Sequence, residues 1–264
     1  MRMKAYCLAS SSSGNCFILD FEIKGVSTKI MIECGIPLSQ IYRGLTENRM
    51  LLSDIQCCLI THHHSDHSKS AKELQRLGIP LYASKGTFET LNLKGNAILP
   101  KEPQRVLNGL FVMGFPVEHD AIDSMGFVIK TANECVIFIN DHKRFTSNLA
   151  NFQPDYVFIE CNYDEKFVYA QIGELSKRKD EISYEDDEMK EVNTKLKQLK
   201  RNVNAHASLN GCVKGLHKLD LRKCRTIFLI HLSDRYANEY KMKSIIQAEF
   251  GIRTYVAKKQ GGIK

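Results

Sequence analysis

The chain has 264 residues, 43% of them hydrophobic, enough to bury one large core or a core with a small appendage. No run reaches the roughly 18 apolar residues of a membrane span. The apolar stretch after Met1-Arg2-Met3-Lys4 ends at Ala9, too short for a secretion signal, so a cytoplasmic location without membrane contact is expected. Nine cysteines, scattered and without a C-x-x-C pair, read as reduced thiols packed as small hydrophobes. A net charge of +7 and a pI near 8.8 favour an anionic partner only weakly.

In chain order, short apolar segments at 6–8, 16–21, 29–32 and 56–60 predict strands, with turns at Gly14-Asn15 and Lys24-Gly25. A helix is expected next, capped by Ser68, with Ala71, Leu74 and Leu77 on its apolar face and Gly78 and Pro80 ending it. Further strands follow at 81–83, 110–115, 126–130, 135–139, 156–161 and 226–230, with late helices at 209–219 and 239–250. Hairpins first, then strands alternating with helices, predict an α/β sandwich with helices outside two packed sheets. Residues 1–264 are read as one domain interrupted by a charged helical insert at about 165–202. Within it, Glu185, Asp186, Asp187 and Glu188 precede Lys195, Lys197, Lys200 and Arg201, the order that complements a helix dipole. Met189, Val192, Leu196 and Leu199 share one helical face. Such an insert either covers the core or serves as a substrate or dimer arm.

The chemistry concentrates at Thr61-His62-His63-His64-Ser65-Asp66-His67, directly after the apolar run Cys57-Cys58-Leu59-Ile60. Alternation along the strand end sends His62 and His64 to one side, and the turn brings Asp66 and His67 round beside them. A buried strand seldom ends in so many imidazoles unless something binds them, so a metal centre is predicted. A two-ion hydrolytic site needs more donors than these. His119, Asp141 and His231 each stand just after an apolar strand, the edge of an α/β sheet where ligands collect.

His62, His64, Asp66 and His67 match the His-x-His-x-Asp-His signature of the metallo-β-lactamase superfamily, and the chain resembles that superfamily from about residue 5 to 236 outside the insert. Two phosphodiesterase branches are similar. The YycJ/WalJ-type nucleases are resembled at Leu8-Ala9-Ser10-Ser11-Ser12-Ser13-Gly14-Asn15, Pro116-Val117-Glu118-His119-Asp120-Ala121 and Phe158-Ile159-Glu160-Cys161-Asn162. Ribonuclease Z is resembled at Leu229-Ile230-His231-Leu232-Ser233-Asp234-Arg235-Tyr236, and both branches at Asn204-Ala205-His206-Ala207-Ser208.

The resemblance implies a four-layer αββα sandwich and two divalent metal ions, zinc by the donor set with manganese compatible. It implies that His62, His64 and His119 hold one ion and Asp66, His67 and His231 the other, with Asp141 bridging them. Asp66, His206 and Glu160 would be catalytic, His206 as general acid and Glu160 as the carboxylate that orients it. The other reading of His206, less favoured, is a residue at a helix start beside the cap Ser208. Ser11, Ser13 and Asn15 in the first hairpin loop are candidate phosphate contacts or an ordinary turn; the ribonuclease Z likeness suggests Ser233 and Arg235 as further phosphate contacts, Arg235 being equally a surface charge. The activity implied is a metal-dependent nuclease acting on nucleic acid. The alternative is a phosphodiesterase for signalling cyclic nucleotides, with a homodimer closing its pocket.

Two departures from the family pattern stand out. Glu33-Cys34-Gly35 replaces the usual Asp-x-Gly, adding a methylene where outer-shell geometry counts. His142 follows Asp141 where relatives have a small residue; it is read as an additional ligand, a phosphate contact or an exposed residue, with the last two favoured. His63 is expected to point away from the site and His217 to lie on a helix surface.

Overall fold

The computed structural model describes residues 3–181 and 187–263. Met1 and Arg2, and Glu185 and Asp186 of the acidic run, lie outside the described residues. The first sheet is six-stranded: β1 (Lys4–Ser11), β2 (Gly14–Ile23), β3 (Val26–Ile32), β4 (Ile55–Leu59), β5 (Leu81–Ala83) and β6 (Asn96–Ala97), side by side in that order. The second is eight-stranded: β7 (Gln104–Leu107), β8 (Leu110–Glu118), β9 (Met125–Lys130), β10 (Cys135–Ile139), β11 (Arg144–Phe145), β12 (Tyr156–Glu160), β13 (Thr226–Ile230) and β14 (Arg253–Val256). It runs β11-β8-β9-β10-β12-β13-β14 with β7 beside β8, and β10, β12, β13 and β14 are parallel neighbours.

Strand alternation assigns each face its layer. Phe17 and Leu19 of β2, Phe127 of β9, Phe138 of β10, Phe158 of β12 and Phe228 of β13 meet between the sheets. The alternate residues of the second sheet, Ile137, Ile139, Val157 and Ile159, face α7 (Leu209–Leu216) and α8 (Glu239–Phe250) through Cys212, Leu216, Met242 and Ile246. The helices before these are α1 (Leu38–Glu47), α2 (Ser65–Ser68), α3 (Ala71–Arg76), α4 (Lys85–Leu91), α5 (Glu165–Glu181) and α6 (Asp187–Ala205). Ile18, Met31 and Cys58 on the outer face of the first sheet pack on Ile41 and Leu45 of α1 and Leu74 of α3. The result is the αββα order. Sequence and structure agree to the residue at β5, β10, β13 and α8.

Elsewhere the structure corrects the sequence reading. After the histidine cluster the chain forms two short helices, not one. Ser68 is the last residue of α2 and its hydroxyl donates to the carbonyls of His63 and His64 instead of capping. Leu77 lies beyond α3 and is half exposed. The insert is two antiparallel helices: Val168 at the start of α5 packs with Leu199 near the end of α6, while Arg178 bonds Glu188 at 2.6 Å at the other end. The helices α1 and α4 and the strands β6, β7, β11 and β14 had no counterpart in the sequence reading; they are short, or bury only one or two large side chains. No helix among the described residues is long and apolar enough to cross a membrane.

Phe158 is fully buried where the two sheets meet, edge-on to Phe17 at 6.1 Å and stacked on Phe228 at 4.3 Å. Phe158→Ala is expected to cost about 3–5 kcal/mol, read as a fall in the urea unfolding midpoint without a change of slope.

Candidate metal centre and active site

Every ligand-type side chain singled out in the sequence sits just past the carboxyl end of a strand or at the start of the loop that follows. The turn after β4 supplies His62, His64, Asp66 and His67; His119 follows β8, Asp141 follows β10, Glu160 ends β12 and His231 follows β13. A backbone bond from Met125 to the Thr61 carbonyl, 3.2 Å, ties the two sheets together at this edge. Gly35 is obligatory there: a Cβ would stand 1.7 Å from the Asp66 carbonyl oxygen.

The first group is His62, His64 and His119. His64 Nδ1 lies 3.0 Å from His62 Nε2 and 3.2 Å from His119 Nε2, three ring nitrogens converging on one point. Burial, and then the neighbouring imidazoles, push His62 and His64 below the usual histidine range. Neutral rings with lone pairs aimed together are what a divalent cation requires. His119 Nδ1 donates to the Ala205 carbonyl at 2.8 Å, which leaves Nε2 facing the group.

The second group is Asp66, His67, Asp141 and His231. His67 Nε2 is 3.3 Å from Asp66 and 3.2 Å from Asp141, and His231 Nδ1 is 2.8 Å from Asp141. Asp141 is also 3.7 Å from His119 Nε2, so one carboxylate stands between the two groups. Burial alone would lower His67, but Asp141, Glu33 and Asp66 outweigh it and raise it well above its ordinary value. At Asp141, His231 first and then His67 and His206 outweigh burial and hold that carboxyl far below the usual range. A buried His231 Nε2 has no hydrogen-bond partner among the described residues. An excess of buried carboxylate and an orphaned ring nitrogen fit a second cation. Asp141 and His231 reach these positions with left-handed backbones, φ 36° and 54°, and Glu33 with φ 61°, each a conformation costing of order 1–3 kcal/mol.

Glu160 is fully buried and grips three groups: His206 Nδ1 at 2.6 Å, the His142 amide at 2.7 Å and the Ala207 amide at 3.1 Å. Burial works against its charge, yet His206 and the bond from His142 prevail and bring it to about 2. His206 is lowered by burial, but Glu160 and Asp141 lift it to about 9. At neutral pH the pair is therefore carboxylate and imidazolium, with His206 Nε2 left free for the cleft.

The departures now have places. Glu33 Oε1 lies 3.1 Å from His67 Nδ1 and accepts from the Thr61 hydroxyl at 2.6 Å, so the longer side chain still reaches the ring behind the second group. His142 is buried, not exposed: its ring lies 3.4 Å from Glu160 and 6.0 Å from the Phe145 ring, so it is not available to phosphate. His63 belongs to neither group, and His217 is exposed and paired with Glu249 at 2.9 Å.

A cleft of 520 Å³ opens at His206, lined also by Ser13, Arg201, Ser233, Arg235 and Lys259 among others. Ser11 and Asn15 are not among the residues that line it. Both are buried; Ser11 Oγ accepts from the Ser13 amide at 3.1 Å, and the Asn15 amide bonds the Ser11 and Asp66 carbonyls at 3.0 and 3.2 Å. Of the three only Ser13 faces the cleft. Ser233 Oγ accepts from the Arg235 and Tyr236 amides at 3.4 and 3.3 Å, shaping the turn that presents Arg235. Sequence reasoning missed Ser10, whose hydroxyl accepts from the His231 amide at 2.9 Å, and Asn162, which donates to the His231 carbonyl at 2.9 Å. Asn162 lies in the quoted Glu-Cys-Asn segment, but neither residue carries a signal of its own.

The fold and this edge of donors define a metal-dependent hydrolase. Residues 28–231 match the beta-lactamase superfamily domain, and the chain belongs to that superfamily. It is 26% identical over 173 residues to the exodeoxyribonuclease WalJ of Streptococcus pneumoniae, covering 61% of this chain and 63% of that protein. It is 26% identical over 144 residues to the exodeoxyribonuclease YycJ of Bacillus anthracis, covering 51% and 52% of the two. The chain thus spans between about half and three fifths of the length of the curated relatives it matches. The Zn2+-bound PqqB from Methylobacterium extorquens shares the fold with a TM-score of 0.64 at 15% identity, over 100% of this chain and 99% of that one.

The Glu160–His206 pair stabilises the folded chain in a definite pH window. Glu160 falls from 4.5 to about 2, so its contribution is present above 4.5 and lost as pH drops through 2; His206 rises from 6.5 to about 9, so its contribution is present below 6.5 and lost as pH climbs through 9. In metal-free protein the stability gap between wild type and Glu160→Gln, read by urea unfolding, is expected to be widest between pH 4.5 and 6.5 and to narrow above 9.

Proposed function

We propose that the chain is a two-metal phosphodiesterase that cleaves nucleic acid, with DNA favoured by the exodeoxyribonucleases among its relatives. The observation that carries this reading is the ion pair of Glu160 and His206 standing beside two adjoining donor groups. On this reading His62, His64 and His119 hold one ion, Asp66, His67 and His231 the other, and Asp141 both. The histidine-rich set suits zinc and tolerates manganese. Bound there, the ions supply Lewis acidity toward water and the phosphoryl oxygens.

The protein's own groups do the rest. Glu160 keeps the His206 proton on Nδ1 and stabilises the ring's charge, so that Nε2–H points to the oxygen that leaves phosphorus. An alkoxide leaving group departs poorly without that proton, and His206 delivers it. Asp66, in the second donor group, accepts a hydrogen bond from the attacking water and orients it. Ser13, Ser233 and Arg235 line the wall where phosphate oxygens would lie, Arg235 with a forked donor suited to them. All nine cysteines are free thiols, which supports a reducing compartment such as the cytoplasm.

Three measurements test the reading. Dialysis against a chelator is expected to abolish cleavage of labelled oligonucleotides, with zinc or manganese restoring it. Asp141→Ala should remove turnover while circular dichroism stays that of the wild type; full activity in this variant would refute the site. His206→Ala should lower kcat on oligonucleotides by about 10²–10⁴. It should cost far less on bis(p-nitrophenyl) phosphate, whose leaving group needs no proton.

A further inference from the structure

The cleft at His206 has a neighbouring hollow. Gln198, Arg235 and Tyr236 line both the cleft and this second hollow of 330 Å³ between the facing sides of α5 and α6. The two hollows therefore share one wall and form a continuous path from His206 along the helical hairpin.

That path has the chemistry of a backbone track. Arg235 stands at the junction with no charged partner among the described residues, its amide donating to Ser233 Oγ. Farther along, Arg178 and Lys195 line the second hollow. They pair with Glu188 at 2.6 Å and Glu191 at 2.5 Å, and all four side chains are largely exposed. Exposed pairs of this kind are worth little, so a phosphate can take the place of either carboxylate. The floor is Leu199 and the Tyr236 ring, which packs against Phe167 at 6.3 Å between centroids. An aromatic face beside a row of cations is the combination that holds unpaired bases and their backbone.

The hairpin is also fixed to the reacting centre. Arg201 bonds Asp120 at 2.9 Å, the Ala205 carbonyl holds His119, and His206 follows directly on the last turn of α6. A strand gripped by the hairpin is thus held in register with the scissile position.

We propose that this groove binds the portion of a single-stranded polynucleotide away from the cleaved bond, Arg235, Lys195 and Arg178 meeting successive phosphates and Tyr236 supporting a base. The proposal rests on the nucleic-acid reading above, and its test separates the two.

Binding of a labelled oligothymidylate of about 8 nucleotides to chelator-treated protein, followed by fluorescence anisotropy at several salt concentrations, reads the groove without cleavage. The slope of log affinity against log salt is expected to fall by about 0.7 for each cation removed in Arg178→Gln and Lys195→Gln, and further in the double variant. Glu174→Gln, which removes an anion from the same wall, should tighten binding. Turnover of bis(p-nitrophenyl) phosphate by the metal-loaded variants should match wild type. If oligonucleotides are cleaved yet neither slope nor affinity moves, the groove is wrong and the nuclease reading stands. If the slopes shift as expected but no phosphodiester is hydrolysed, the groove stands and the nuclease reading falls.

Discussion

Everything at this edge of the molecule turns on burying carboxylates. Glu33, Asp141 and Glu160 are at most 2% exposed, and Asp66 is partly covered. Taking an ionised carboxylate out of water is tolerable only if positive charge and hydrogen bonds replace the water. Here the replacements are imidazoles: His67 for Glu33, His67 and His231 for Asp141, His206 for Glu160. Without cations some of those imidazoles must carry protons. With cations the same nitrogens become donors and the protons leave, which couples metal affinity to pH. The sandwich provides the walls that make this economy necessary, because Ile139, Ile159 and Ile230 close in on the strand ends from below.

Both sheets contribute to each part of the site. His62 and His64 come from the first sheet and His119 from the second; His67 comes from the first, Asp141 and His231 from the second. The donor groups can form only when the sheets pack at one relative position. The aromatic layer of Phe17, Phe138, Phe158 and Phe228 sets that position, so core packing and site geometry are parts of one constraint. Left-handed backbones at Glu33, Asp141 and His231 show where the chain departs from its preferred shape to complete the convergence.

How far the sequence could be read follows from this division. The donors were legible because four of them sit within six residues directly after an apolar strand, a density of imidazoles that an ordinary polar strand end does not show. The parallel strands β10, β12 and β13 were legible because both faces are covered and the sequence is apolar throughout. What escaped was whatever depends on a backbone group or a distant partner. Ala205 has no side chain to announce that its carbonyl holds His119. Arg201 and Asp120 are 81 residues apart. His142 looks like a surface histidine in sequence, and only Glu160 and Phe145 closing over it make it a buried one. The insert reads as one charged stretch because its apolar residues are sparse, and their pairing across two helices is a tertiary fact.

The way α6 ends has a consequence for how this chain could vary over time. An α-helix turns about 100° per residue. One residue added or removed between Arg201 and Ala205 would swing the following chain by that angle. The Ala205 carbonyl would leave His119, and His206 would leave Glu160. The base of the hairpin is therefore locked in phase, and length changes there cannot be absorbed. At the opposite end, where among the described residues an exposed arginine–glutamate pair joins α5 and α6, whole turns can be gained or lost with little effect on the centre. Among variants of this chain, hairpin length should drift at its tip while the spacing from Arg201 to His206 stays constant.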